Sequence, residues 1–174
     1  MKYGEAVKFS IEELAKNPKV LFIGYNLVHG SMAYGSLKNV PPSQIIETPV
    51  AENLMAGLST GLALEGFKSV LIFERHDFIL NALDGLVNHL DKLNELSHEQ
   101  YSPSVIIRAI IGSNSPINPG PQHSQDFTEI FKKMFKMPLY DLQNSREVLD
   151  AYKTAIRTKK PMMIIERRDF YNRE

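Results

Sequence analysis

The chain has 174 residues, 43% of them hydrophobic and 23% charged, enough for one domain with a substantial core and too few for two full domains. Its 20 basic residues balance 20 acidic ones, so no net field draws in nucleic acid or an anionic membrane. Cysteine is absent, which excludes disulfides, thiolate nucleophiles and cysteine-ligated metals. Behind Met1-Lys2-Tyr3-Gly4-Glu5 there is no apolar stretch of signal-peptide length, and no run approaches the ~18 apolar residues of a membrane span. The expectation is a soluble, cytoplasmic protein forming a single domain over residues 1–174.

Val7, Ile11 and Leu14 recur at helical spacing until Asn17-Pro18 breaks the pattern, because proline disfavours helix at the residue before it. Val20 to Ile23 is a continuous apolar run ending at Gly24, which reads as a strand buried on both faces and hence as part of a parallel sheet. A short strand at Ile45-Ile46-Glu47 leads through Thr48-Pro49 into a helix from about Asn53 to Glu65, closed by Gly66. A strand from Ser69 to Phe73 precedes one amphipathic helix from about Phe78 to Leu93, with Leu83, Leu86, Val87, Leu90 and Leu93 along its stripe.

Val105 to Ile111 is another buried strand, followed by an irregular glycine- and proline-rich loop from Gly112 to Pro121. A helix near Phe127 to Phe135, a strand near Leu139 to Leu142, a helix from about Ser145 to Arg157 and a strand from Met162 to Ile165 complete the alternation. The fold class is therefore α/β: three layers, a mainly parallel sheet and helices on both faces, joined by right-handed crossovers. Ligands in such folds sit beyond the carboxyl ends of the strands. The segments to search are 24–35, 48–53, 73–78 and 112–125.

Glu52 stands at the start of a helix otherwise built from small and apolar residues. On its own it reads as a carboxylate favouring the helix dipole, an effect of ~0.3–1 kcal/mol. His123 lies in Gly120-Pro121-Gln122-His123-Ser124-Gln125-Asp126-Phe127, where Ser124 or Asp126 suits a helix cap and the histidine suits acid–base work. Phe73 and Phe78 bracket Glu74-Arg75-His76-Asp77, a pattern that more often marks core than a ligand platform. His29, His76, His89, His98 and His123 show no metal-ligand spacing, so no protein-held metal is expected. Neither a Gly-x-Gly-x-x-Gly fingerprint, a phosphate-binding loop nor a Gly-x-Ser-x-Gly elbow is present. Pattern alone ends at an α/β domain with a site formed by several loops.

The stretch from Ile46 through Glu47-Thr48-Pro49-Val50-Ala51-Glu52 to Gly57 resembles the cofactor-glutamate segment of 2-oxo acid dehydrogenase beta subunits and of transketolases. Gly61, Gly66, Phe73 through Phe78, Ala82-Leu83-Asp84, Asn88, Arg108 and Gln122-His123-Ser124-Gln125 follow at the spacing of that family. The opening Tyr3-Gly4-Glu5-Ala6 and the closing Pro161 to Glu166 extend the likeness over nearly the whole chain.

The resemblance implies a thiamine diphosphate-binding fold of the pyrimidine-domain type and thiamine diphosphate as cofactor. Glu52 would bond the aminopyrimidine nitrogen from an apolar pocket, where desolvation favours the protonated carboxyl and lets it share a proton. Phe78 would pack on the pyrimidine ring, His123 would act at the substrate oxygen, and Arg108 would be structural or supporting. Magnesium and the diphosphate would be held by a separate alpha-type partner subunit, in an assembly of two plus two. The implied activity is decarboxylation of a 2-oxo acid, or transfer of a two-carbon or acyl unit from a 2-oxo acid or ketose. A small biosynthetic carboligase or transketolase subunit is the neighbouring possibility, and an interaction module that kept the fold without catalysis is the alternative of another class.

Three departures from the family pattern stand out. Family beta subunits run on into a further domain where this sequence stops at Glu174, so docking into a large dehydrogenase complex is not expected. The family acids that follow the first strand are replaced by Gly24-Tyr25-Asn26, which alters the polar network between paired sites. Ser113 to Pro119 departs from the small-residue loop of the family and is expected to reshape substrate access.

Overall fold

In the computed structural model, which describes residues 1–115 and 117–174, the apolar run Val20–Gly24 forms β1 with all five residues buried. Strands of this kind need cover on both faces. The remaining strands are β2 (Ile45–Glu47), β3 (Lys68–Phe73), β4 (Val105–Ile111), β5 (Leu139–Asp141) and β6 (Met162–Arg167). Of these, β3, β4 and β6 are buried almost throughout, whereas β2 and β5 are only partly buried. All pairings are parallel, in the order β2-β1-β3-β4-β6-β5. The sheet and its layers are those expected from sequence.

Two apolar clusters cover the two faces, and alternate residues of each strand divide between them. Val70 and Ile72 of β3 and Ile106 of β4 face the first, beneath α1 (Tyr3–Ala15) and α5 (Ser145–Arg157). Leu71 and Phe73 of β3 and Ile107 and Ala109 of β4 face the second, beneath α2 (Glu52–Leu64) and α4 (Thr128–Met134). Within the first layer Arg108, fully buried, is clasped by Glu166: Nε donates to Oε1 at 2.7 Å and Nη2 to Oε2 at 2.9 Å. β6 thus runs past the expected Ile165 end, because Glu166 is needed inside.

The segment after β3 differs from the single helix expected over 78–93. A 3-10 stretch (His76–Ala82) gives way to a π-helical turn (Asp84–His89), a short 3-10 turn (Leu90–Lys92) and one turn of α-helix, α3 (Leu93–Leu96). The buried positions are Ile79, Ala82, Leu86 and Leu90, while Leu83, Val87 and Leu93 are only partly covered. Their spacing follows the local winding: three residues per turn in the 3-10 stretch, then the wider step of the π turn. A methyl group placed on Gly85 would lie 3.0 Å from Ala56 Cβ and 3.1 Å from Asn53 Oδ1, so this segment packs tightly on α2.

β1 connects outward to β2, and β3 lies on its other side and leads toward β4. Connections therefore diverge above the carboxyl ends of β1 and β3, the place where α/β sheets open a ligand crevice.

Candidate active site

The crevice gathers side chains from four strand ends. Tyr25 follows β1, Glu52 begins the helix after β2, Phe78 lies in the segment after β3, and His123 stands in the loop after β4. Glu52 is the first residue of α2, one position earlier than expected, and only 5% exposed. Its Oε2 accepts a long hydrogen bond from Asn81 Nδ2 at 3.4 Å. Aromatic rings occupy the adjoining space: Phe78 lies 6.3 Å from Tyr25 between ring centroids and 5.3 Å from the His123 imidazole in an edge-to-face arrangement. Phe73, in contrast, is fully buried core.

Several buried polar atoms here make no hydrogen bond among the described residues: the Tyr25 hydroxyl, His123 Nδ1, His76 Nε2 and Asp77 Oδ2. The Tyr25 hydroxyl is held protonated, first by burial and then by the neighbouring Glu52 and Glu74 carboxylates. Burial also pushes the Glu74 carboxyl above its usual range, against the opposing influence of Asn26 and Arg75. Glu74 bonds the Ser31 hydroxyl, and Arg75 bonds the Tyr34 hydroxyl.

Sequence reasoning passed over the device that shapes the wall of this crevice. The Glu47 carboxylate accepts the backbone N–H groups of Asn26 at 2.6 Å, and of Leu27 and Val28 at 2.8 Å each. It thereby fixes the turn that carries Tyr25, with Asn26 in the left-handed region at φ 58. No local pattern marks this, since donor and acceptor lie on different strands' loops. Asn81 was likewise unmarked, while Tyr25 and Glu74 were named only within segments and given no role of their own. Asp126, weighed as a helix cap, accepts the Thr128 N–H at 2.9 Å from the residue before the cap position, which Phe127 occupies without a side-chain cap bond. Pro116, inside the loop expected to shape substrate access, lies outside the described residues.

A buried carboxylate at a helix start, with Tyr25 near it and Phe78 and His123 continuing the run of rings, is suited to a flat heteroaromatic ring with nitrogen atoms at its rim. The fold is an α/β domain whose candidate site lies at the carboxyl edge of a parallel sheet. The family model "Transketolase, pyrimidine binding domain" matches residues 2–173, and the chain belongs to that family. It is 27% identical over 164 residues to the pyruvate dehydrogenase E1 component subunit beta of Rickettsia conorii, covering 92% of this chain and 50% of that protein. It is 28% identical over 167 residues to the mitochondrial subunit of that name from Ascaris suum, covering 92% and 45%. The chain spans about half the length of these relatives. Among solved structures, a split-gene transketolase crystallised as an inactive β4 tetramer superposes with a TM-score of 0.75 at 18% identity, over 97% of this chain and 51% of that one. The transketolase of Campylobacter jejuni gives 0.77 at 15% identity, over 97% and 26%. Both likenesses establish the fold.

Proposed function

We propose that this chain supplies the pyrimidine-binding half of a thiamine diphosphate site and acts as one subunit of an enzyme working on a 2-oxo acid or ketose. A separate alpha-type chain would hold the diphosphate and Mg2+, in a two-plus-two assembly. The observation that carries the reading is the buried Glu52 carboxylate, with a long bond from Asn81 and the Tyr25 hydroxyl close by, next to a run of rings from Tyr25 through Phe78 to His123. These residues fit an aminopyrimidine: a carboxyl oxygen for a ring nitrogen, an aromatic face for the ring, and unpaired polar atoms around it.

When bound, the cofactor supplies the nucleophilic carbon and electron sink that act on a substrate carbonyl. Glu52 would hold or release a proton at its carboxyl oxygen toward the ring nitrogen. Phe78 would orient the ring, and His123 would donate to or accept from the substrate oxygen. The partner is supported by the outer side of α2, which adjoins Glu52. Val50 and Leu54 are 72% and 54% exposed there, with Gly57 and Gly61 exposed between Leu54 and the 44%-exposed Leu64. An apolar, low-relief face of this kind is suited to close approach by a second chain. The chain alone is expected to be inactive.

Glu52→Gln, assayed with the partner chain, is expected to lower turnover by at least about a hundredfold while circular dichroism stays unchanged. Wild-type turnover in that variant would refute the assignment. The partner itself is found by purifying a tagged copy from the native source and identifying its stoichiometric companion by mass spectrometry.

A further inference from the structure

His123 has no side-chain anchor of its own at Nδ1, yet it stands edge-on against Phe78. What holds it is the backbone that follows. Asp77 Oδ1 accepts both the Gln125 backbone N–H at 3.3 Å and its side-chain Nε2 at 2.9 Å. His76 Nδ1 accepts the Phe127 backbone N–H at 3.0 Å. Asp77 is 7% exposed and His76 fully buried, and both immediately precede Phe78 in sequence. One short segment therefore presents the aromatic face and grips the loop whose histidine meets that face.

Gly112, just after β4, lies so close to the His123 carbonyl that a methyl group there would overlap it, and it also lies against the Arg75 side chain. The loop is thus held by contact with the end of β4 and by bonds from the two buried side chains. Both carry a buried polar atom with no partner, His76 Nε2 and Asp77 Oδ2, a burden that apolar side chains at these positions would avoid.

We infer that His76 and Asp77 are positioning residues: by holding the backbone at Gln125 and Phe127 they set where His123 stands against Phe78. The consequence for catalysis rests on the proposed role of His123; the positioning itself is a property of the isolated chain and is measured there.

The experiment is nuclear magnetic resonance on the isolated chain, reading cross-relaxation between the His123 and Phe78 ring protons together with amide hydrogen exchange at Gln125 and Phe127. Asp77→Ala is expected to weaken the ring contact and to speed Gln125 exchange roughly fivefold or more. Asp77→Asn keeps the one oxygen that is used and is expected to behave as wild type. His76→Phe keeps the ring volume, removes the acceptor and is expected to speed exchange at Phe127. Gln125→Met, changed from the exposed side, removes the side-chain bond to Asp77 while leaving both buried residues in place; it is expected to weaken the ring contact and serves if Asp77→Ala does not fold. Unchanged ring contact in Asp77→Ala or in Gln125→Met, or an Asp77→Asn variant as loose as Asp77→Ala, overturns the inference. An active Glu52→Gln enzyme would defeat the proposed function and leave this result standing.

Discussion

Two groups of buried polar side chains lie on either side of the same strands, and they are built to opposite standards. Around Arg108 each described polar atom has a partner. Besides the bidentate pairing with Glu166, Nη1 donates to Ser36 Oγ at 2.7 Å, and Glu166 receives the hydroxyls of Tyr152 and Tyr171 at 2.5 Å each. Burial and the Glu166 charge hold both tyrosines well above their ordinary range. At the carboxyl edge Tyr25, His76, Asp77 and His123 each keep an unpaired buried atom; among the described residues only the small hydroxyls of Thr48, Ser59, Ser69 and Thr128 share that condition. A completed network fixes a core, whereas an incomplete one marks a place whose missing partners come from outside or whose geometry serves something other than stability.

The comparison is broken most forcefully at Arg108. Arg108→Met leaves Glu166 buried without its counter-charge and is expected to lower unfolding free energy by about 3–5 kcal/mol in urea denaturation. A loss under about 1 kcal/mol would mean that the paired group contributes no more than the unpaired one.

His76 sharpens it through pH. Burial lowers its imidazole from the usual 6.5 to about 4, against the opposing pull of Asp126 and Asp77. The unfolded chain takes up the proton first, so this contribution is fully present above the unfolded value and is lost as pH falls toward 4. The loss approaches about 3 kcal/mol. Stability measured in His76→Phe should lack that part of the acid slope; an identical slope would contradict a neutral, accepting imidazole.

The smallest effect is expected at Tyr25. Tyr25→Phe removes a hydroxyl that makes no well-formed hydrogen bond, so the unfolding free energy should change by no more than about 1 kcal/mol in either direction. A loss of several kcal/mol would show that this hydroxyl is bonded after all, and that the site is as complete as the Arg108 group.

Layering and strand direction were legible because they follow from burial alone: runs such as Val20 to Ile23 and Val105 to Ile111 carry no solvent face, and a strand without one belongs inside a parallel sheet. Glycine at 66, with φ 87, likewise announced the end of α2. Glu52, Phe78 and His123 were named by resemblance, not by pattern, since a helix-start carboxylate, a strand-adjacent phenylalanine and a loop histidine are each ordinary in isolation. Their arrangement was decided only in three dimensions. Glu47 reaches 21 residues back to Asn26, Asp77 reaches 48 forward to Gln125, and Arg108 reaches 58 forward to Glu166. After β3, 3-10 and π turns packed against α2 stand in place of the expected regular helix. Periodicity records which face of an element avoids water, and that was enough for the sheet; the crevice depends on bonds between distant loops, which a one-dimensional spacing does not carry.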